Sequence, residues 1–511
     1  MTDVTERASR REWAGLAVLT LPALLASMDL SVLFMASPWL AADLQPTGPQ
    51  LLWILDVYGF LMAGLLLTMG ALGDRIGRRK VLLLGAAAFG AASVLAAYST
   101  TTEMLILARA LLGVGGATLA PSTLALIRTM FRDETERRAA IGAWTAAFTG
   151  GVALGPIVGG LLLEHFWWGS VFLINVPVMV ALLVVGPLLL PESREAAPGR
   201  FDLPGAAMSI VAVLLLVHGG KEIAHVGAGH WPGAIAVVLG LAVGVVFVRR
   251  QARLADPLVD VRLFRSGVFS SSFAAYTVIV VCSAGMGLLA VQHMQVVLGI
   301  APFAAALWQL PTIAGTIIGI VVATTLGRAV RPAAIAVAGL LVAAAGFVLV
   351  GTLDVESSVV ALIGGYTVLT TGTGVVAARA IDVIVSAAPP DRAGSAAALG
   401  ETGAEFGGAL GIAALGSIAA AVYRAGIIGE LPAGLPPGAA EAATATVGGA
   451  VGTAEQLPPE LAGPVLAAAQ RSFAEAFTTT ALVGAGLLVV TAGAVALQVR
   501  NVAVAAEGDR L

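Results

Sequence analysis

Long apolar runs, separated by short breaks that carry charge, proline or glycine, repeat along the whole chain. A membrane-spanning helix needs about 20 apolar residues, and the runs predict fourteen such helices. Their approximate bounds are 14–37, 50–72, 80–99, 103–127, 138–163, 169–190, 204–222, 232–249, 268–291, 303–326, 332–351, 357–381, 393–422 and 475–498. The one long connection, 423–474, contains repeated proline and glycine. Its pattern leaves two alternatives open, a disordered extracellular loop or a short ordered hairpin or helical flap over the extracellular mouth.

Composition agrees with an all-α integral membrane protein. Of 511 residues, 58% are hydrophobic and 12% are charged, and the mean hydropathy is +0.94; a soluble domain carries about 25% charge. One cysteine, Cys282, and five scattered histidines give neither a disulfide nor a metal cluster. No nucleotide-binding loop or Ser-His-Asp arrangement is visible in the sequence. We therefore expect that the protein is not an enzyme and that it binds no cofactor, metal or nucleic acid.

The basic residues sort by side when the helices alternate from a cytoplasmic N-terminus. Of the 28 lysines and arginines, 24 then fall inside, Lys221, Arg424 and Arg471 fall outside, and Arg109 lies within a helix. Such a bias sets orientation in membranes. We expect a multi-pass protein of the bacterial inner membrane with both termini in the cytoplasm.

The loop after the second predicted helix reads GALGDRIGRRK, residues 70–80. Its pattern resembles the signature loop of the major facilitator superfamily, with matches at Gly70, Asp74, Arg75, Gly77 and Arg78. In that family the aspartate and arginines form a charge-relay latch on the cytoplasmic side. The resemblance implies that Asp74 faces a helix N-terminus in the other half, near Asp391 and Arg392. A degenerate second copy, LGRAVRP, occupies 326–332, as expected of a two-half transporter.

The fifth predicted helix carries GGVALGPIVGG, residues 150–160. Glycines allow membrane helices to approach closely, and proline can bend the axis. The order of Gly151, Gly155, Pro156, Gly159 and Gly160 resembles the antiporter motif of the superfamily's drug/proton exchangers. Generic small-residue packing is the alternative. The motif favours export over uptake.

The first predicted helix contains MDLSVLFMASPWLAADL, residues 28–44. It resembles the first-helix motif of drug:proton antiporters at Asp29, Ala36 and Pro38, with Ser31 in place of threonine and Phe34 in place of asparagine. With fourteen spans, the chain resembles the 14-helix drug:proton antiporter branch over essentially its whole length.

This resemblance implies the major facilitator fold. We expect a six-helix bundle in 1–200, two inserted helices in 201–255, and a second six-helix bundle in 256–511 that includes the connection 423–474. Transport would proceed by alternating access, powered by the proton gradient. The expected partners are membrane lipid, protons and lipophilic cationic small molecules, and the expected state is a monomer.

Four carboxylates lie within predicted spans: Asp29, Asp56, Glu401 and Glu405. The rise along a helix is ~1.5 Å per residue. The first helix runs outward from the cytoplasmic surface, so Asp29 lies ~22 Å above that surface, in the outer half of the membrane. The second helix runs inward from the outer surface, so Asp56 lies ~9 Å below it, at a similar height to Asp29. Glu401 and Glu405 share one helix face because they are four residues apart. The resemblance implies that the first, second and thirteenth helices, which carry these acids, border the central cavity. Burial favours the neutral form of a carboxylate, which suits a proton carrier, and the ionised form attracts a cation.

Each of these residues also has a structural alternative. Asp29 can be a purely structural acid, Asp56 can be solvated near the interface, and Glu401 can be a buried protonated acid. Arg109, within the fourth helix, must have a partner or water. The resemblance links it to proton relay, and a structural arginine bonded to backbone carbonyls is the alternative.

Aromatic and methionine side chains cluster near the first two carboxylates, and aromatic faces attract quaternary ammonium groups. The candidate pocket residues are Met28, Phe34, Trp53, Tyr58, Trp144, Phe148 and Trp308. We predict a proton-coupled multidrug antiporter that exports dyes and quaternary ammonium antiseptics. The alternatives are a dedicated exporter of one antibiotic or metabolite and, less favoured, a proton symporter for uptake.

Overall fold

The computed structural model describes residues 8–194, 202–226, 231–254, 257–326, 330–386 and 393–508. These residues fold into helices and turns, with no strand among them. The first nine helices are α1 (Arg10–Leu44), α2 (Gly48–Ile76), α3 (Arg78–Ala97), α4 (Thr102–Met130), α5 (Glu134–His165), α6 (Ser170–Leu173), α7 (Asn175–Leu189), α8 (Leu203–Val226) and α9 (Trp231–Gln251). The remaining nine are α10 (Gly267–Gln292), α11 (Pro302–Trp308), α12 (Leu310–Leu326), α13 (Pro332–Val350), α14 (Val359–Ser386), α15 (Ala393–Ile428), α16 (Pro437–Ala445), α17 (Val447–Ala454) and α18 (Pro459–Gly508).

The predicted number of spans is confirmed. By length and composition, thirteen helical stretches of the described chain can cross a membrane, and the count rises to fourteen when the bent α1 is one span. Several helices extend beyond the predicted bounds. The last one begins at Pro459 instead of 475, and α15 continues to Ile428.

Two predicted spans are interrupted by breaks. The sixth is divided into α6 and α7 at Ile174, and the tenth is divided into α11 and α12 at Gln309. Pro311 accounts for the second break, because proline has no backbone N–H and clashes with the preceding turn. The ninth span continues past α10 as a π-helical turn, His293–Val297.

The first helix bends by 42° between Arg10–Asp29 and Ser31–Leu44. Two serines flank the bend, and each donates its hydroxyl to the carbonyl three residues before it. Ser27 Oγ lies 2.9 Å from Leu24 O, and Ser31 Oγ lies 3.0 Å from Met28 O. Such bonds compete with the helical ladder and bend helices. The bend therefore occurs at the segment that carries Asp29.

The chain divides into two compact units. Unit 1 contains residues 1–36 and 53–210, and unit 2 contains 37–52 and 211–511. In unit 1, α3 packs on α4 and α7. In unit 2, α10 packs on α14, α15 and α18, while α13 packs on α14 and α18. The three-part organisation expected from the sequence, with inserted helices in 201–255, stays a prediction.

The long connection is ordered. Two short helices, α16 and α17, occupy its middle, and the hydroxyl of Tyr423 on α15 donates to the carbonyl of Ala443 at 2.8 Å. Gly448 and Gly452 of α17 lie directly against the end of α1 at Ala41 and Ala42. The connection thus forms a folded hairpin that packs on residues 37–52 within unit 2.

Candidate functional site

Asp29 and Arg109 form a buried ion pair in unit 1. Arg109 Nη1 donates to Asp29 Oδ2; Arg109 is 0% exposed and Asp29 is 7% exposed. The pair joins α1 to α4 at the bend of α1. Each of the two charges at membrane depth therefore has the other as its partner, which relieves much of the cost of burying either one.

The guanidinium of Arg109 also holds α2. Its Nε donates to the carbonyl oxygen of Ile54 at 3.0 Å, and its Cζ lies 4.7 Å from the centroid of the Tyr58 ring. A cation over an aromatic face adds about 0.5–2 kcal/mol. Arg109 thus bonds a backbone carbonyl and a carboxylate together, and its role in proton relay stays a prediction.

Small residues on α4 bring α2 close to Arg109. A Cβ on Gly113 would lie 2.7 Å from the Tyr58 carbonyl, and a Cβ on Gly116 would lie 3.2 Å from the Tyr58 hydroxyl. Arg109, Gly113 and Gly116 lie on one face of α4, at spacings of four and three. Along this face the backbone of α2 lies close to the guanidinium of Arg109.

Asp56 follows Ile54 by two residues on α2 and is 1% exposed. Because Arg109 bonds both Asp29 and Ile54, the segments that carry the two aspartates lie side by side in unit 1. The burial of Asp56 argues against the alternative in which it is solvated at the interface.

The glycines of the fifth predicted span form a strip on α5 that faces α1. Gly151 lies against Leu24 and Ser27, Gly155 against Met28 and Ser31, and Gly159 against Val32, so a Cβ at the first two would overlap α1 atoms. The spacing of four places the three glycines on one face. The strip thus contacts the bent part of α1, on both sides of Asp29.

Unit 2 contains a matching strip that the sequence analysis missed. On α15, Gly403, Gly407 and Gly411 lie against Phe273, Thr277 and Val281 of α10. If the spans in 267–508 repeat the order of the first six spans, α10 corresponds to α1 and α15 corresponds to α5. Each strip then packs the fifth span of its half on the first span of the same half. The signal was present in GETGAEFGGALG, residues 400–411, as glycines four apart.

Glu401 and Glu405 lie on α15 beside this strip, one turn apart. Both are partly exposed, and the Tyr276 hydroxyl on α10 lies within their electrostatic range. The two glutamates thus give unit 2 two neighbouring carboxylates, whereas unit 1 pairs Asp29 with an internal cation.

The aromatic candidates fall into different surroundings. Tyr58, Met28 and Phe34 are buried in unit 1. Trp144 stacks on Phe148 with centroids 5.5 Å apart, and its Nε1 donates to Thr123 Oγ1 at 3.1 Å. The pocket role of these residues stays a prediction. The other two aromatic candidates are Trp53, which is partly exposed, and Trp308, which is 38% exposed at the break after α11.

The signature loop is held by charged contacts within unit 1. Arg78 Nε donates to Asp74 Oδ1 at 2.7 Å, one turn apart. Gly77 has φ 115°, a backbone conformation that only glycine adopts easily, and a Cβ there would overlap the Glu192 carboxylate. Gly70 and Arg75 lie on the last turns of α2. Asp391, Arg392 and part of the second copy, 327–329, lie outside the described residues.

Comparisons with known proteins agree with this architecture. A sequence profile of the Major Facilitator Superfamily matches residues 19–412. The multidrug efflux pump LfrA of Mycolicibacterium smegmatis is 42% identical over 98% of this chain and 99% of its own. The methyl viologen resistance protein SmvA of Salmonella typhimurium is 35% identical over 91% of this chain and 93% of its own. Among solved structures, a bacterial homologue of the human lysosomal transporter Spinster, inward-facing and occupied, gives a TM-score of 0.67 at 16% identity, over 96% of this chain and 98% of that one.

Proposed function

This chain belongs to the major facilitator superfamily, and we propose that it exports lipophilic cations from a bacterium in exchange for protons. Its family and relatives are transporters, so it is a multi-pass transporter and no enzyme, and its similarity to efflux pumps supports drug export. The cationic substrate class, the coupling to protons and the cytoplasmic position of both termini are our proposals. The resemblance to a methyl viologen resistance protein supports a cationic substrate, since methyl viologen is an aromatic dication.

The observation that carries the proposal is the buried pair of Asp29 and Arg109. A proton that binds Asp29 removes the negative charge and leaves a buried guanidinium with the Ile54 carbonyl and the Tyr58 ring. An uncompensated buried charge is unstable by several kcal/mol. Protonation thus favours a rearrangement of α1 against α4, which is what a proton-driven conformational cycle needs.

The two glutamates of α15 are our candidates for binding the drug. Glu401 and Glu405 place two carboxylates within one turn of α15. A lipophilic cation can bind to such groups when they are ionised and be displaced when they take up protons. In this proposal Asp29 serves proton coupling and the two glutamates attract the cation, while a role for Asp56 in either task stays a prediction.

The arginine distribution supports the orientation. The 24 basic residues that the predicted topology places inside, against three outside, follow the positive-inside rule. With the N-terminus in the cytoplasm, the signature loop 70–80 and the starts of α10 and α13 face the cytoplasm.

Dye transport in proteoliposomes tests the function. We expect an imposed pH gradient to drive ethidium and methyl viologen transport by the reconstituted protein, and collapse of the gradient by a protonophore to stop it. Asp29→Asn should abolish the gradient-driven component, whereas the exposed Glu134→Gln should not. Undiminished gradient-driven transport of both cations by Asp29→Asn would contradict the assigned role, and wild-type protein that moves neither cation would contradict the function.

A further inference from the structure

A cavity of about 460 Å³ lies in unit 2 between four helices. It is bordered by the starts of α10 and α13, by the end of α14, and by Val495 within α18. Small apolar side chains form most of its wall, among them Ala275, Ala336, Val383 and Val495. In the proposed orientation the starts of α10 and α13 and the end of α14 face the cytoplasm, so the cavity lies at the level of the cytoplasmic leaflet.

Two arginines line this apolar cavity, Arg331 at the N-cap of α13 and Arg379 two turns before the end of α14. Arg379 Nη1 donates to Asp382 Oδ2 at 3.0 Å, and its side chain is only 13% exposed. Its Nε is buried and has no acceptor among the described residues. Arg331 is exposed and forms no ion pair with any residue that the structure describes. Two guanidinium groups therefore face one carboxylate, which leaves an excess of positive charge.

Two of the three serines of the wall are poor donors for a ligand. Ser271 and Ser386 each donate their hydroxyl to a carbonyl of their own helix, at 3.2 and 3.3 Å. Recognition of an anion at this place therefore rests mainly on the two guanidinium groups, whose N–H pairs match phosphate oxygens bidentately; Ser272 is the third serine of the wall.

We propose that this cavity binds the headgroup of an anionic phospholipid from the cytoplasmic leaflet. The phosphate would contact Arg331 and the Nε of Arg379, and the glycerol and the upper acyl chains would lie against the alanines and valines. Basic pockets between membrane helices on the cytoplasmic side bind such headgroups, and the volume falls within the range of small-ligand sites, about 300–1,000 Å³. The bound lipid would join α10, α13, α14 and α18 at one end of unit 2.

Nanodiscs of defined composition test the proposal with the full-length protein. The melting temperature and the lipids retained in native mass spectrometry are compared in phosphatidylcholine alone and in phosphatidylcholine mixed with phosphatidylglycerol. We expect phosphatidylglycerol to raise the melting temperature of the wild type and to be retained preferentially. Loss of a charge-assisted hydrogen bond lowers affinity by about tenfold or more, so Arg331→Gln should weaken the preference and Arg331→Gln/Arg379→Gln should abolish it.

Two controls distinguish a lipid bound in the cavity from general surface charge and from free phosphate. Arg265→Gln removes an exposed arginine in the short turn before α10 that does not line the cavity, and it should keep the preference. Glycerol phosphate added to phosphatidylcholine nanodiscs should not reproduce the effect. An unchanged preference in the double variant, or in Arg331→Gln if the double variant does not fold, would overturn the proposal. A full effect of soluble phosphate would overturn the lipid as the ligand. Neither result depends on whether export occurs.

Discussion

The buried ion pair of Asp29 and Arg109 makes a quantitative prediction about stability. Asp29→Asn leaves the guanidinium with the Ile54 carbonyl at 3.0 Å and the Tyr58 ring at 4.7 Å, and Arg109→Gln leaves a buried carboxylate. Removal of one partner from a buried pair costs about 3–5 kcal/mol, whereas replacement of both by neutral groups is often near neutral. We therefore expect the double variant to be more stable than either single variant.

Unfolding in mixed micelles of mild detergent and sodium dodecyl sulfate, followed by tryptophan fluorescence, measures this difference. We expect a coupling free energy of at least ~2 kcal/mol, in the upper range for residues in contact. Glu134 and Arg138 provide the matched control, because they form an ion pair one turn apart with side chains 65% and 77% exposed. Their coupling should be only about 0.3–0.5 kcal/mol.

The result that would refute the reasoning is additivity. If the two single effects add to the double effect within about 0.5 kcal/mol, the two residues do not stabilise each other, and protonation of Asp29 cannot act through Arg109. A second readout separates structure from coupling. The double variant should regain stability and still lack gradient-driven dye transport, because no group remains at this place to exchange a proton.

Three further predictions concern glycines. Gly151→Ala should destabilise the protein by about 1–3 kcal/mol and reduce dye efflux, because its Cβ would overlap the backbone of α1; Gly150→Ala, with no atom within 4 Å of its Cβ, should do neither. Gly411→Ala should destabilise the protein to a comparable extent, because its Cβ would overlap α10. Gly408→Ala, whose Cβ meets nothing within 4 Å, should leave the melting temperature unchanged. Equal melting temperatures for Gly411→Ala and Gly408→Ala would contradict the packing of α15 on α10. Gly77→Ala should cost about 1–3 kcal/mol because of its φ of 115°, and an unchanged melting temperature would show that the loop is not held in this conformation.

The number and approximate bounds of the spans could be predicted from the sequence because hydrophobic length is a local property. The breaks were harder to predict. Pro311 accounts for the interruption after α11, but an apolar run reads the same on both sides of such a break. Similarly, the order in 423–474 depends on contacts with residues 37–52, which are distant in sequence and leave no periodic signal.

The candidate acids could also be found from the sequence, since a charge in an apolar run is conspicuous. Their partners could not. Asp29 bonds Arg109 because α1, α2 and α4 are rotated so that these side chains meet, and that rotation is set by where Gly113, Gly116 and Gly155 permit close approach. Spacing along one helix gives the face of each residue but not the helix that the face contacts.

The packing of residues 37–52 within unit 2 has a consequence for synthesis. The end of α1 and the start of α2 leave the ribosome first, yet Gly448 and Gly452, on which the end of α1 packs, are made only after most of the chain. The tip between α1 and α2 must therefore insert into the membrane before the residues that it finally contacts have been made. A nascent chain truncated before α16 should leave this tip accessible to proteases or, with a cysteine introduced in 37–52, to a thiol-reactive probe, and the completed chain should protect it.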